Sequence, residues 1–205
     1  MVIIIDYGLG NLGSIKNMLN KIGVNAEISG DPVVISSATK LILPGVGAFD
    51  NGMQNLADLK LIEVLNKKVL EDKVPVLGIC LGMQLMTRGS EEGNLLGLGW
   101  IAADTIKFNS IDSERKFPIP HMGWEYVKAE KESLLLKEMY DKPRFYFVHS
   151  YFVKAERGED LLITTDYNGE FVSGFEKNNI LGVQFHPEKS HKFGMKLFKN
   201  FIENY

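Results

Sequence analysis

Hydrophobic positions in the first half of the chain alternate between short continuous runs and helical spacing. The runs are rich in β-branched residues, as in strands, whereas apolar residues three or four positions apart mark one face of a helix. The predicted strands are Val2 to Ile5, Lys40 to Leu43 and Val74 to Ile79, and the predicted helices have apolar faces at Leu12, Ile15, Leu19 and Ile22 and between Leu59 and Glu71. Because Val74 to Ile79 is apolar throughout, that strand is expected to be buried on both faces. This alternation of strand and helix signals predicts βαβ units.

From Gly99 onward the pattern changes to strand-like alternation. The predicted strands are Ile101 to Phe108, Tyr126 to Lys128, Arg144 to Val153, Leu161 to Thr165, Phe171 to Phe175 and Ile180 to Phe185, and a helix begins near Ser190 with an inward face of Phe193, Leu197, Phe198 and Phe201. We therefore predict an α/β fold of three layers, with a largely parallel central sheet, helices on both faces, and a mixed or antiparallel sheet from the second half.

The length and composition limit the classes of function. The 205 residues suit one domain, residues 1–205, and a net charge of −3 without a dense basic stripe argues against nucleic acid binding. No apolar stretch reaches membrane length and the first residues do not resemble a signal peptide, so no membrane association is expected. A single cysteine excludes an internal disulfide framework and favours the reducing cytoplasm. Since one cysteine and four scattered histidines form no paired ligand motif, we expect no metal and no cofactor.

A glycine-framed cysteine is the first candidate for chemistry. In the segment Gly78-Ile79-Cys80-Leu81-Gly82, glycines stand two residues before and two after Cys80, between a predicted strand and a predicted helix. This is the cysteine counterpart of the nucleophile elbow of serine hydrolases, in which the glycines make room for a strained turn. The thiol would project from the carboxyl edge of the sheet, with the N–H of Leu81 facing a developing oxyanion. The alternative is a buried structural cysteine.

A histidine and a glutamate two residues apart supply a candidate base. His186-Pro187-Glu188 follows the last predicted strand, so the side chains of His186 and Glu188 can point the same way while Pro187 stiffens the turn. Glu188 can then orient His186, which takes the thiol proton and later returns one to the leaving amine. The alternative is a turn that ends a strand.

Two further segments fit a site on the same sheet edge. Pro44-Gly45-Val46-Gly47 follows a predicted parallel strand, and its glycines would let backbone N–H groups approach a ligand as a second oxyanion donor. Gln84 lies one helical turn beyond Cys80, so its amide could contact polar groups of a substrate. The alternatives are an ordinary glycine-containing turn for the first segment and a solvated helix surface for Gln84.

These residues together resemble the class I, or triad, glutamine amidotransferases, over essentially the whole chain. Within that family, several segments are similar to the glutaminase subunits of bacterial imidazole glycerol phosphate synthases. The matching segments are 6–11 (DYGLGN), 44–49 (PGVGAF), 120–124 (PHMGW), 145–151 (FYFVHSY) and 186–190 (HPEKS), whereas 78–84 (GICLGMQ) with 186–188 (HPE) carries the resemblance to class I as a whole.

The resemblance implies a reaction and a partner. Cys80, His186 and Glu188 would hydrolyse L-glutamine to glutamate through a thioester, and the ammonia would pass to a cyclase partner, a (β/α)8 barrel that forms imidazole glycerol phosphate in histidine biosynthesis. By position, an oxyanion strand would comprise Gly45, Val46 and Gly47 with Leu81 nearby, glutamine would be held by Gln84, Ser150 and Tyr151, and the partner would lie near Asn11, Trp124 and Lys189. From the residues alone, Asn11 could be a helix cap, Trp124 a core aromatic and Lys189 a solvated charge.

One position departs from the pattern. After Pro120 to Trp124 the family usually has asparagine, and this chain has Glu125, a carboxylate near the expected docking face that could change which partner is accepted. The first alternative function is therefore a paralogous glutaminase that supplies ammonia for acetamidino sugars of surface polysaccharides. Alternatives from other classes are a thiol hydrolase or peptidase of the same fold, and a non-catalytic binding module.

Overall fold

The computed structural model describes residues 1–108 and 118–205. The first part contains β1 (Val2–Ile5), α1 (Leu12–Lys21), β2 (Ala26–Ser29), α2 (Pro32–Ser36), β3 (Lys40–Leu43), α3 (Phe49–Asp58), α4 (Leu61–Asn66) with a π-helical turn at Lys67–Glu71, β4 (Val76–Ile79) and α5 (Leu81–Leu85). The second part contains β5 (Ala103–Lys107), β6 (His121–Tyr126), β7 (Lys128–Ala129), β8 (Arg144–His149), β9 (Tyr151–Ala155), β10 (Leu161–Asp166), β11 (Glu170–Lys177), β12 (Ile180–Val183) and α6 (His191–Asn204). Short 3₁₀ turns lie at Leu134–Leu136, Gly158–Asp160 and Pro187–Lys189.

The central sheet has a parallel half and an antiparallel half. The order β2-β1-β3-β4-β12 is parallel throughout, and β12 then pairs antiparallel with β11, which continues into β10 and β7. Strand β9 pairs with β11 and β5, and β6 and β8 form a separate antiparallel pair. The predicted α/β class with a largely parallel sheet and an added antiparallel part is confirmed.

Helices cover both faces of the parallel half because its strands alternate apolar side chains between the two faces. Ile3 and Ile5 of β1 pack into the core cluster that contains α2 to α5, whereas Ile4 packs into the cluster that contains α1 and α6. The amphipathic faces predicted for α1 and α6 are both buried in that second cluster. Cys80 follows β4 directly, at the carboxyl edge of the sheet.

Several predicted element boundaries were wrong. Helix α3 ends at Asp58, and Lys60 has a φ of 56°. The helix predicted to start at about Leu59 therefore starts at Leu61. The strand predicted from Arg144 to Val153 is two strands that separate at Ser150. Val127 lies between β6 and β7, so Tyr126 to Lys128 is not one strand. Helix α3 and strand β2 were not predicted, because Gly, Asn and Asp weaken the helical signal of α3 and the sequence of β2, Ala-Glu-Ile-Ser, is not a continuous apolar run.

Candidate active site

Cys80 occupies a strained turn that its glycine neighbours make possible. Its φ of 53° and ψ of −111° lie outside the regions that residues with a Cβ usually adopt. A Cβ on Gly82 would lie 1.8 Å from the carbonyl oxygen of Leu43, and one on Gly78 would lie 2.8 Å from Cε of Met86. The chain can therefore turn sharply at Cys80 because Gly78 lets strand β4 lie close to helix α5, and Gly82 lets α5 lie close to the end of β3.

His186 and Glu188 are brought together by the turn that follows β12. The Nδ1 atom of His186 lies 2.8 Å from Oε1 of Glu188, and both side chains are buried. The backbone N–H of His186 donates to the carbonyl oxygen of Tyr146, which ties this turn to β8. Nε2 of His186 is buried and has no hydrogen bond in the part of the chain that the structure describes. The arrangement leaves Nε2 available on the side opposite Glu188.

The charges of this cluster shift its proton equilibria. Burial lowers the pKa of His186, but the negative charge of Cys80 and the hydrogen bond to Glu188 outweigh burial and raise the pKa to about 10. Burial raises the pKa of Glu188, but the hydrogen bonds from His186 and Asn11 hold it below its ordinary value. Glu188 is therefore ionised, and His186 is held as an imidazolium next to the sulfur of Cys80.

Asn11 contributes to this cluster in a way that the sequence did not predict. Its Nδ2 donates to Oε1 of Glu188 at 2.8 Å, although 177 residues separate the two along the chain. It stands at the N-cap position of α1, but its side chain makes no capping hydrogen bond. Asn11 thus occupies the cap position of the alternative interpretation, but its side chain instead orients the carboxylate that orients His186.

A cavity of about 450 Å³ opens over Cys80, a size ordinary for a small-molecule site. Cys80 and His186 line it together with six of the residues predicted to bind substrate or an oxyanion, namely Val46, Gly47, Leu81, Gln84, Ser150 and Tyr151. Gly45 is not part of the lining. A Cβ there would lie 2.5 Å from the hydroxyl of Tyr7 and 2.9 Å from the N atom of Gly82, so Gly45 packs beneath the loop.

Gln84 is buried, and the alternative interpretation as a solvated helix surface was wrong. Its Nε2 donates to the carbonyl oxygen of Tyr151 at 3.0 Å and to Oε1 of Gln184 at 3.1 Å. Both amide hydrogens are therefore used within the protein, and Oε1 is the atom of this side chain that remains for a ligand.

Sequence reasoning missed other members of the cavity. Ala48, Glu92, Pro120, Val148 and His149 also line it. Oε2 of Glu92 accepts a hydrogen bond from the N–H of Phe49 at 2.8 Å, which holds the Glu92 carboxylate at the N-terminus of α3. The segment around Glu92 forms no regular element, so hydrophobic periodicity contained no signal for it. Gln184 was also missed, although its position two residues before His186 was a usable signal.

Two buried histidines form a pair behind the cavity. Nδ1 of His121 lies 3.0 Å from Nε2 of His149, and Nδ1 of His149 lies 2.8 Å from the carbonyl oxygen of Tyr151. Burial lowers the pKa of His149 to about 3 and that of His121 to about 4, so both rings are neutral. His149 is therefore a buried, hydrogen-bonded residue.

The residues predicted to lie near a partner have different surroundings. Trp124 is 37% exposed and stacks on His191 with ring centroids 5.5 Å apart, so the alternative of a core aromatic was wrong. Nζ of Lys189 lies 5.7 Å from the ring centroid of Tyr146. Glu125 extends from the other face of β6, where Oε1 is 4.0 Å from Nε2 of His121. Its carboxylate is therefore not on the face that Trp124 occupies.

Other features of the described residues add no second chemical centre. A wider groove of about 880 Å³ is lined by residues of 129–137 and by Glu176, and none of the predicted site residues belongs to it. Within residues 1–108 and 118–205, no group of three or more His, Cys, Asp or Glu side chains could hold a metal ion. In the same ranges no helix has the length and apolar character that crossing a bilayer requires.

Comparison with known proteins identifies the family. The family model described as glutamine amidotransferase class-I matches residues 3–204. The chain is 60% identical to imidazole glycerol phosphate synthase subunit HisH 2 of Methanococcus maripaludis, with 99% of each chain covered. It is 46% identical to the subunit of the same name from Pseudomonas aeruginosa, again with 99% of each covered.

Solved structures agree in fold. A crystal structure of a glutamine amidotransferase matches with a TM-score of 0.71 at 18% identity, covering 99% of this chain and 98% of the other. A glutamine amidotransferase from Thermotoga maritima matches with a TM-score of 0.63 at 19% identity, covering 100% of this chain and 81% of the other. The chain belongs to the class I glutamine amidotransferase family.

Proposed function

We propose that this chain is the glutamine-hydrolysing subunit of an imidazole glycerol phosphate synthase, a single glutaminase domain over residues 1–205. The observation that carries the proposal is the buried cluster of Cys80, His186 and Glu188 at the floor of an open cavity. The full-length identity of 60% to a subunit of that synthase supports the choice within the family. Both core clusters pack against one sheet, which supports a single domain.

The chemistry follows from the charges of the cluster. The Cys80 thiolate attacks the side-chain carboxamide carbon of L-glutamine, and the His186 imidazolium gives its proton to the departing nitrogen, so that ammonia leaves. Water, deprotonated by His186, then attacks the thioester carbon, and cleavage of the C–S bond releases glutamate and regenerates the Cys80 thiolate beside the His186 imidazolium. Glu188 holds the His186 ring through Nδ1, so that Nε2 exchanges the protons.

The cavity walls fit the rest of glutamine. The backbone N–H groups of the loop at Val46 and Gly47 and of Leu81 are the proposed oxyanion donors. The carboxylate of Glu92 suits the substrate α-ammonium group, and Oε1 of Gln84 is a free acceptor for a polar hydrogen. Ser150 and Tyr151 complete the proposed binding wall. No cofactor or metal takes part in this scheme.

A partner that consumes the ammonia fits the outer face of the β6 and β8 pair. We define this face by Met122, Trp124, Tyr126, Tyr146 and Val148, which point to the same side of the two strands. Met122 and Tyr126 are each 60% exposed, and Val148 also lines the cavity. Arg144 lies over the ring of Trp124 on this side as well. A largely aromatic surface that adjoins the reaction cavity suits a docked protein that receives ammonia. The proposed partner is the cyclase (β/α)8 barrel, near Asn11, Trp124 and Lys189, in the cytoplasm.

The test is glutamate release from L-glutamine, measured with the chain alone and with a histidine-pathway cyclase barrel and its nucleotide substrate. We expect release that the barrel stimulates and that Cys80→Ala reduces by at least about a thousandfold. Full activity of Cys80→Ala would refute the triad. Glutamate release without any stimulation by the barrel would support the glutaminase activity and refute the proposal that the ammonia acceptor is the histidine-pathway cyclase.

A further inference from the structure

Gln184 is a buried side chain in contact with the nucleophile. It follows β12 and is fully buried, and its Nε2 lies 3.7 Å from Sγ of Cys80. A buried amide must satisfy both its donor and its acceptor, and Gln184 Oε1 accepts from Nε2 of Gln84 at 3.1 Å. The side chain therefore connects the Cys80 sulfur to the wall of the cavity.

The orientation of the Gln184 amide is fixed by its neighbours. The carbonyl oxygen of Tyr151 can only accept, so Gln84 must direct its NH₂ group there, and the same NH₂ group meets Gln184. If Gln184 were flipped, two NH₂ groups would face each other and its oxygen would face the sulfur. The observed orientation, with the NH₂ group toward Cys80, is the one that satisfies both contacts.

The histidine pair fixes the same network from the other side. His149 Nδ1 must carry a hydrogen because it faces the carbonyl oxygen of Tyr151, so its Nε2 accepts and Nδ1 of His121 donates. Both rings are neutral because burial lowers their pKa values to about 3 and 4. Tyr151 is thereby held by two donors, Gln84 and His149, and the amides between it and Cys80 cannot reorient independently.

The contacts of the sulfur distinguish its two protonation states. Sγ of Cys80 lies 3.9 Å from the carbonyl oxygen of Val148, an acceptor that a thiol hydrogen can reach. After deprotonation that hydrogen is gone, and a carbonyl dipole facing a thiolate is unfavourable. The Gln184 NH₂ group donates to the sulfur and therefore favours the thiolate, with the strength typical of a hydrogen bond to a charged group.

We propose that Gln184 is a further catalytic residue, which stabilises the Cys80 thiolate by a hydrogen bond from an amide whose orientation the Gln84, Tyr151, His149 and His121 network imposes. The catalytic consequence rests on the proposed glutaminase activity. The effect on the thiolate does not, because it can be measured without glutamine.

The experiment measures the rate of Cys80 alkylation by iodoacetamide as a function of pH, in the full chain. Cys80 is the single cysteine, so the modification is unambiguous. Gln184→Met preserves length and removes the donor, and Gln184→Glu preserves shape and the acceptor toward Gln84 while it turns an oxygen toward the sulfur. We expect the midpoint of the alkylation profile to rise by about one pH unit in Gln184→Met and by more in Gln184→Glu.

Ser173→Ala is the matched control. The Ser173 side chain is equally buried and accepts a hydrogen bond from Thr165 at 2.6 Å, and its backbone pairs with Gln184. It makes no contact with Cys80 in the described residues, so the midpoint should stay within a few tenths of the wild-type value. Wild-type midpoints in both folded Gln184 variants would overturn the proposal, as would an equal shift in Ser173→Ala.

A third measurement needs no variant at Gln184. In the wild-type chain labelled with ¹⁵N, the side-chain amide resonances of Gln184 should titrate with the alkylation midpoint, and the titration should vanish in Cys80→Ala. Amide resonances that do not change around that midpoint would overturn the proposal even if both variants failed to fold. If the alkylation midpoints and amide resonances behave as expected but no glutamate is released, the proposed glutaminase activity is rejected and the role of Gln184 toward Cys80 is retained.

Discussion

The parallel half of the central sheet and the antiparallel half of the fold, which includes the separate pair of β6 and β8, contribute to the site in different ways. In the parallel half, β1, β3, β4 and β12 are apolar on both faces, and chemistry appears where a strand ends, at Cys80 and His186. In the antiparallel half, strand β6, which pairs with β8 outside the central sheet, buries His121 completely on one side and exposes 60% of Met122 on the other. One half therefore fixes the reacting groups rigidly, and the other supplies a wall for the substrate and an open surface.

The difference follows from how each half is covered. Strands with helices on both faces have no room for polar side chains except at their ends, so function concentrates at the carboxyl edge. A strand with one open face can place neutral, hydrogen-bonded groups inside and contact residues outside within two positions. Substitutions in each half can test this contrast, beginning with the close packing that makes the parallel half rigid.

The largest effect is expected from a methyl group at the elbow. In Gly82→Ala the Cβ would lie 1.8 Å from the carbonyl oxygen of Leu43, so backbone must shift. We expect a loss of about 3–5 kcal/mol of unfolding free energy, measured by urea denaturation, together with loss of glutamine hydrolysis.

Gly13→Ala is the matched control, because a Cβ added to that helical glycine would meet open space, with nothing within 4 Å. The variant should gain about 0.5–1 kcal/mol of unfolding free energy, since alanine is the better helix former. Equal stability of the two variants would show that the elbow is not tightly packed.

The next prediction contrasts the buried histidines of the two halves. Nuclear magnetic resonance titration of the wild-type chain should give a midpoint near 10 for His186, because the charge of Cys80 opposes the burial that lowers its pKa. His121 and His149 should stay neutral down to about pH 4 and 3. In Cys80→Ala the His186 midpoint should fall, because the opposing charge is removed. A His186 midpoint that does not change would contradict this account.

The two groups of histidines also give opposite slopes of stability with pH. Folded His186 binds its proton more tightly than the unfolded chain, so its contribution is complete below pH 6.5 and is lost as the pH rises toward about 10. The unfolded chain protonates His121 and His149 first, so their contribution is lost as the pH falls from about 6.5 toward 4. Urea denaturation between pH 4 and 10 checks both signs.

The parallel half was the easier part to predict from sequence. Continuous apolar runs and glycine spacing are local signals, so the strand before Cys80, the elbow and the turn at His186 to Glu188 could all be read from neighbouring residues. Of β6 only Tyr126 lay in a predicted strand, although its alternation is equally local and implies that Glu125 and Trp124 point in opposite directions. The expectation that Glu125 lies near the docking face did not take this alternation into account.

Contacts between distant segments could not be predicted in this way. Asn11 and Glu188 are 177 residues apart, and Gln84 and Gln184 are 100 apart, so neither hydrogen bond leaves a pattern within one element. A buried glutamine or asparagine indicates that a polar partner is needed. It does not indicate which partner, because that depends on how the strands are ordered in the sheet.

A smaller effect is expected when Asn11 is changed. Asn11→Ala removes one donor to Glu188 and should raise the pKa of that carboxyl, because this hydrogen bond helps to hold it low. We expect the rate of glutamine hydrolysis by the chain alone to fall about tenfold, and the acid limb of its pH–rate profile to move to higher pH. Asn11→Asp, which adds a second carboxylate, should move the limb further. An unchanged acid limb in both variants would leave Asn11 as a contact residue only.

The smallest effect separates two neighbouring residues on β6. Tyr126→Ser removes an aromatic ring from the outer face and should weaken binding of the cyclase barrel about tenfold, because exposed aromatic side chains often dominate protein interfaces. Glu125→Asn should change that affinity less than about twofold, since Glu125 faces His121 on the inner side. Titration of the barrel, followed by stimulated glutamate release, measures both. A larger effect of Glu125→Asn than of Tyr126→Ser would mean that the partner docks elsewhere and senses the inner face of β6.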